Sequence, residues 1–452
     1  MTVPTPRPDS PADNTLSEPS HPNPNPPSPR RSAVLGLLGV FLIGLLWGTF
    51  YLHHWGLMRS LAWGEEPYIG QHLALGHGFL TPYDPSPTAS PTSWSPPIYP
   101  FILAGVYRVL GINTPATALA LGLLNATCFG LVGAGLALLG RSLFWPAVGY
   151  LAAAGFYLHP MFLHAVGVRW DHYVALALFV WLINAALALR RGHMTALRIT
   201  ALGAGLAALV LTNTSYLLTI PAIVLVAIRS PNLREMLRMG TLALAGFALA
   251  IAPWTIRNCL EFRQPIFVRA GAPFELWFGN LPYMTGWLNR YSFWRDHPGE
   301  NARERHVLLS MGETAYFAYC KQRFWENYHQ APRAFWHRTL NRTVYLFLSN
   351  PTDPARYPFM RDSQLHGYVI PRLFVNTLLT TLGLLGAWMA WRLRYRTHAL
   401  LGIALLSVVP FIPTAVWDRH TLPLRMILVL LAAFLLLAAL HRYRRGAWPT
   451  PP

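Results

Sequence analysis

Long apolar runs constrain this chain more than any other feature. Crossing about 30 Å of hydrocarbon takes about twenty apolar residues at about 1.5 Å rise each, and ten runs in the sequence reach or approach that length. They lie at 33–52, 116–140, 143–164, 171–189, 197–213, 215–228, 239–256, 368–391, 398–416 and 422–440. Hydrophobic residues make up 53% of the chain and charged residues 12%, against about a quarter charged in an ordinary soluble domain. The sequence therefore predicts an all-α polytopic membrane protein of about ten transmembrane helices.

The formal net charge of +18 raises the question of nucleic acid, and the distribution of the charge answers it. Lys321 is the sole lysine, and the arginines sit in short clusters between apolar runs. Arg141; Arg190, Arg191 and Arg198; Arg229, Arg234 and Arg238; Arg392, Arg394 and Arg396; and Arg442, Arg444 and Arg445 fall in every second loop. Such alternation follows the positive-inside rule with a cytoplasmic N-terminus, and it excludes a nucleic-acid groove.

The same threading divides the chain. Residues 1–32, rich in Pro, Ser and Asn, predict a disordered cytoplasmic tail. Residues 33–256 hold transmembrane helices with a first extracytoplasmic loop at 53–115, and 257–367 form a second extracytoplasmic loop domain. Residues 368–440 hold the C-terminal helices and 441–452 a cytoplasmic tail. Within the first loop, stretches after Pro67 and from Pro97 to Leu110 predict juxtamembrane helices, and 312–348 predicts an amphipathic helical pair. Cys259 and Cys320 share the outer side in this threading, so one disulfide between them is an open expectation.

Acidic residues inside spans usually mark ion or substrate paths, and these spans are nearly free of them. Asp171 stands at the outer mouth of the fourth, and Glu65 and Glu66 lie just beyond the first. Pro67 suits a first helical turn, where acids face the positive end of the helix dipole. Two readings stay open: the glutamates cap a surface helix, or they form an ionised site able to take a proton or hold a cation.

The segment Glu65-Glu66-Pro67-Tyr68, with Leu73-Ala74 and Gly76-His77-Gly78, resembles the acidic motif after the first span of membrane glycosyltransferases of the C-type fold (GT-C). The nearest likeness is to protein O-mannosyltransferase and aminoarabinose-transferase relatives, especially RgtA/B/C/D-like proteins. Ser95-Pro96-Pro97-Ile98-Tyr99-Pro100 is similar to that family's Pro-Pro-x-Tyr-Pro. Pro253-Trp254-Thr255-Ile256-Arg257-Asn258 with Trp277-x-Gly279-Asn280 is similar to its Pro-Trp-x-x-Arg-Asn and Gly-Asn pair. Arg419-His420-Thr421-Leu422-Pro423 resembles the Arg-Tyr-x-x-Pro that opens a late span. The family's first acid is usually aspartate; Glu65 keeps the carboxylate and adds a methylene.

The resemblance implies an inverting transferase of the bacterial inner membrane. It would move a sugar from a polyprenyl-phosphate donor to a glycan, lipid or protein acceptor at an extracytoplasmic site. A carboxylate base is then required near the acceptor hydroxyl, which makes Glu65 the candidate base and Glu66 its helper. Cations should face the leaving phosphate: Arg257, Arg419 and Arg59 are candidates, each with an alternative as a snorkelling interfacial arginine. Asp171, His72 and Tyr68 are candidates for a sugar hydroxyl or a divalent metal, and His77, His172 and His420 could join a metal set. Trp277, Trp287, Trp294, Trp325 and Trp336 suit either sugar stacking or interfacial anchoring. A transporter or lipid flippase, and a catalytically degenerate relative, remain the competing readings.

Overall fold

A computed structural model describes residues 29–59, 64–192, 195–228, 232–288, 290–348 and 362–451. Of the expected N-terminal tail, residues 1–28 lie outside the described residues, and helix begins at Pro29. In chain order the helices are α1 (Pro29–His54), α2 (Glu65–Ala74), α3 (Ile98–Leu110), α4 (Pro115–Leu143), α5 (Pro146–Leu158) and α6 (Pro160–Val166). They continue with α7 (His172–Arg191), α8 (Ala196–Thr212), α9 (Ile220–Ala227), α10 (Leu233–Phe262), α11 (Ala272–Phe278) and α12 (Arg290–Asp296). The last six are α13 (Ala302–Met311), α14 (Glu313–Gln330), α15 (Pro332–Leu348), α16 (Asp362–Arg392), α17 (His398–Leu406) and α18 (Leu422–Arg445). Extended pairing among the described residues is limited to the isolated bridges Leu80–Pro91 and Trp287–Val416.

Among the described residues, six helices are long and apolar enough to cross a bilayer: the apolar parts of α1, α4, α7, α10, α16 and α18. The other four expected spans form shorter or broken helices, and proline accounts for three of them. A proline ring removes a donor and clashes with the preceding turn. Pro160 divides the run 143–164 into α5 and α6 at His159, whose φ of −72° and ψ of 123° are extended. Pro221 follows a 3-10 stretch, Thr214–Thr219, ahead of α9, and Pro410 lies in a second short one after α17. The fourth, α8, is a single helix of 17 residues.

Burial ranks the helices. The apolar stretch of α18 is 78% buried, that of α1 11%, so α18 is the axis of the bundle and α1 lies at its edge. α18 packs against α16 and α5; α4 is flanked by α1, α5 and α7; α8 lies along α10. α10 runs on to Phe262, carrying helix past the expected start of the outer loop at 257.

The two outer loops share one core. Tyr83 and Trp94 from the first pack with Phe274, Trp277, Phe278, Tyr316 and Phe317 from the second. Glu313, buried at the start of α14, binds this junction: its carboxylate accepts from the Ser93 amide at 2.6 Å, the Ser93 hydroxyl at 2.6 Å, and the Thr92 hydroxyl. Cys259 and Cys320 are free thiols, so the disulfide left open by the sequence does not form. Cys320 is buried in the loop core while Cys259 lies on α10.

Candidate active site

The acidic motif begins with backbone geometry. α2 starts at Glu65, placing Glu65 and Glu66 in its first turn with Pro67, which has no amide hydrogen to leave unpaired. It ends at Ala74 with Leu75 as its C-cap, and the next residue, Gly76, has a φ of 82° in the left-handed region that glycine adopts without a side-chain clash. The amide of His77 then donates to the His72 carbonyl at 2.9 Å, turning the chain back toward the helix. The motif's glycine is thus a helix stop.

Both glutamates line a cavity of about 1380 Å³ bounded by the two outer loops and the ends of several spans. Asp171, His72, Tyr68 and Arg419 line it too. Asp171 stands at the N-terminus of α7, yet its side chain does not cap that helix. Its carboxylate instead accepts from the Asn213 amide at 2.9 Å. Arg419 lies over the Trp170 ring, with its guanidinium carbon 4.1 Å from the ring centre, and Trp170 stacks on Trp417 at 5.5 Å. A second cation, Arg269, also lines the cavity and pairs with Glu275 at 2.9 Å.

Glu65 is held from both loops, by Tyr83 of the first and His297 of the second. Its Oε1 accepts from the Tyr83 hydroxyl at 3.2 Å and faces Nε2 of His297 at 3.3 Å. The amide of Gly299 donates to Nδ1 of His297 at 3.0 Å, so that nitrogen is the acceptor and Nε2 carries the hydrogen. Burial pulls the His297 pKa down against the nearby carboxylates of Glu65, Glu275 and Glu300, which favours this neutral tautomer. Burial likewise drives the Tyr83 phenol well above its usual range, reinforced by Glu65, so it remains a donor.

Glu66 differs from its neighbour. Burial pushes its pKa well above the ordinary glutamate range; the carboxylates of Asp171 and Glu65 act in the same direction, and Arg419 and Arg269 oppose them. Adjacent glutamates therefore occupy unlike environments, the arrangement that separates acid from base roles in one site.

Two expected phosphate ligands stand elsewhere. Arg257 does not line the cavity: it donates to the Thr92 carbonyl at 2.8 Å, the Phe79 carbonyl at 3.0 Å and Asn258 at 3.0 Å. Trp254 and Asn258 donate to the Val268 carbonyl at 2.9 and 3.1 Å. The Pro-Trp-x-x-Arg-Asn stretch therefore stitches α10 to the first loop and to the segment that delivers Arg269. Arg59 is exposed and outside the cavity lining. The Gly-Asn pair docks the second loop onto the approach to α18. A Cβ on Gly279 would meet the Thr414 carbonyl at 1.9 Å, and Asn280 donates to the Pro413 carbonyl at 2.8 Å and accepts from buried Arg342 at 2.9 Å.

The aromatic lining also departs from expectation. Trp277 and Trp287 are buried in cores, and Trp294, Trp325 and Trp336 are exposed away from the cavity. The tryptophans that line it are Trp94, Trp170 and Trp417. Along one side the wall is apolar and belongs to α10, through Leu244, Phe247 and Ile251. Leu244 is 65% exposed, so on a spanning helix the cavity opens toward lipid.

No three His, Cys, Asp or Glu side chains cluster as a metal set among the described residues. One nitrogen each of three expected histidines is bonded to backbone: His72 Nε2 donates to the Asp84 carbonyl at 2.9 Å, His172 Nε2 to the Ala165 carbonyl at 3.0 Å, and His420 Nδ1 accepts from the Trp417 amide at 3.1 Å, while Nδ1 of His172 and Nδ1 of His77 are buried with no hydrogen-bond partner among the described residues. The positive charge beside Glu66 and Asp171 comes from Arg419 and Arg269. Glu66 and Asp171 are the carboxylates that face each other in the cavity, and no step is routed through a metal.

Comparison with known proteins adds the fold. No family model matches the sequence, and no curated protein matches it. Two structures of the Archaeoglobus fulgidus oligosaccharyltransferase align over 90% of this chain with a TM-score of 0.52 and 15% identity. One is a complex with Zn and sulfate; the other holds an inhibitory peptide and a dolichol-phosphate. The alignments cover 49% and 51% of those chains, so this chain spans about half their length. ArnT from Cupriavidus metallidurans bound to undecaprenyl phosphate aligns over 89% of this chain and 77% of its own, at 13% identity and a TM-score of 0.37, a score that carries no argument. The likeness shows that this chain shares the fold of the matching half of the oligosaccharyltransferase.

Proposed function

We propose that this GT-C-fold chain is a glycosyltransferase that moves a sugar, with inversion, from a polyprenyl-phosphate donor to a hydroxyl of an envelope glycan, lipid or protein. The observation that carries the reading is convergence: Glu65, Glu66, Asp171, Arg269 and Arg419 come from four distant parts of the chain to line one cavity with a lipid-facing side. The arginine alternation supports a cavity on the extracytoplasmic face of a bacterial inner membrane.

In the proposed step, the acceptor oxygen attacks the anomeric carbon from the face opposite the phosphate. Its bond to that carbon forms as the sugar–phosphate bond breaks, and the phosphate leaves with the electron pair. Glu65 takes the acceptor proton. Tyr83 and His297 hold Oε1 from the protein side, and Oε2, which receives no hydrogen bond from a described residue, is the atom that acts as base. Arg419 and Arg269 neutralise the charge that develops on the phosphate. Glu66, favoured in its protonated form by burial, serves as a hydrogen-bond donor to substrate. The prenyl chain lies along the apolar α10 wall, so a water-excluded head group and a lipid-solvated tail are served at once. Transfer from a synthetic polyprenyl-phosphate sugar by the purified protein tests this reading; donor binding with no transfer to any hydroxyl acceptor would leave a lipid-binding protein in its place.

A further inference from the structure

A second cavity, of about 580 Å³, is lined by four arginines: Arg190, Arg191, Arg394 and Arg396. Its position follows from α7. Asp171, at the N-terminus of that helix, lines the large cavity, whereas Arg190 and Arg191 close its C-terminal end. Twenty residues at about 1.5 Å each separate the two sites by about 30 Å, the thickness of the hydrocarbon core. The arginine cavity therefore sits at the opposite membrane surface from the carboxylates.

Its walls are built in two layers. Half-buried Leu143 and Leu187 form an apolar side in front of the buried Ile183 and Val226, the arginines form the polar one, and no acidic side chain among the described residues contributes to the lining. The arginines are positioned by structure. Arg191 donates to the Ser142 carbonyl. Arg394 adopts a φ of 61°, uncommon for a residue with a side chain, and the turn is fixed by the Tyr395 amide donating to the Ala390 carbonyl at 2.8 Å. Tyr395 is buried against Phe144 and Phe434, and its hydroxyl donates to the Thr450 carbonyl at 2.9 Å. Arg394 and Arg396 thus project from either side of a buried anchor. Four like charges around one concavity call for a multivalent anion, and the adjoining apolar wall calls for a hydrocarbon chain attached to it.

We infer that this cavity binds an anionic phospholipid of the inner leaflet, its phosphate group held by Arg190, Arg191, Arg394 and Arg396 and its acyl chain against Leu143 and Leu187. The site is separate from sugar transfer and stands or falls independently of it.

The test is native mass spectrometry of the full-length protein released from nanodiscs containing equal parts of a diphosphate phospholipid (cardiolipin), phosphatidylglycerol and phosphatidylcholine. The expected result is retention of cardiolipin over phosphatidylcholine. In an Arg394→Gln, Arg396→Gln double variant retention falls about thirty-fold, from about five-fold per arginine near an anionic surface. An Arg444→Gln, Arg445→Gln control alters arginines outside the cavity and retains cardiolipin at the wild-type level, because those residues do not touch the bound phosphate. Equal retention of phosphatidylcholine, an unchanged double variant, or an equal loss in the control overturns the proposal. So does displacement of the lipid by an equal concentration of inorganic diphosphate, which would make the ligand a free phosphate compound.

Discussion

Nε2 of His297 lies 3.3 Å from Oε1 of Glu65, joining the second outer loop to the first helical turn after the first span. Because Gly299 fixes the opposite ring nitrogen as acceptor, the imidazole can offer Glu65 only an N–H. His297 is then a positioning residue, and misplacement of a reacting group by about 1 Å costs about a hundredfold in rate. His297→Phe should lower kcat by about that factor with little change in donor KM, and His297→Gln, which keeps an N–H donor, should recover most of it. Equal kcat in the wild type and His297→Phe would remove the positioning role.

Arg419 and Arg257 should separate by phenotype. A charge-assisted hydrogen bond is worth about 1.5–3 kcal/mol, so Arg419→Ala should weaken donor binding about ten- to a hundredfold, and Arg269→Ala should act in the same direction. Arg257→Ala should instead lower thermal stability, because the Thr92 carbonyl loses the guanidinium and the Phe79 carbonyl keeps only the Thr92 amide, while donor KM in the folded fraction stays unchanged. The reverse pattern would return Arg257 to the phosphate site.

Glu66 predicts a pH signature. Its carboxyl is raised above the ordinary range chiefly by burial, so it favours folding as the neutral acid. That contribution is fully present below the unfolded glutamate value of about 4.3, and it is lost as pH rises through the raised value in the folded protein. The Tm of the wild type should therefore fall relative to Glu66→Gln across that window. A Tm difference that is flat with pH would contradict the assignment.

Glu313 supports the cavity without lining it. Glu313→Ala leaves the Ser93 amide and the Ser93 and Thr92 hydroxyls without their acceptor in a buried junction, at about 1–3 kcal/mol for each unsatisfied group. Thermal unfolding of the purified variant should show a markedly lower Tm. An unchanged Tm would mean that the shared loop core alone holds the two loops together.

Periodic and compositional signals in the sequence reach the helices and fail at their interruptions. Ten apolar runs were legible, yet hydrophobicity alone does not show that Pro160, Pro221 and Pro410 divide three of them. Glu65, Glu66 and Asp171 were identifiable because acids near span ends are few, and Arg419 because its segment resembles a family motif. Arg269 and His297 were not: each is one charged or titratable residue in a loop of mixed sign, and only tertiary packing aims them at the cavity. Arg257 carried the opposite signal. Its place at a span end suits a phosphate ligand, but its partners are carbonyls of Phe79 and Thr92, and backbone acceptors leave no trace in side-chain chemistry. Burial likewise decided among the tryptophans, selecting Trp94, Trp170 and Trp417.

The central claim is that the carboxylate of Glu65 removes the acceptor proton, and it is tested most directly by single-turnover transfer from a radiolabelled polyprenyl-phosphate sugar in proteoliposomes. Glu65→Gln keeps the shape and the hydrogen-bond acceptor but not the basicity. The account predicts a rate lower by about 10²–10⁴, with donor affinity, folding and membrane insertion intact. Transfer by Glu65→Gln at the wild-type rate would contradict it.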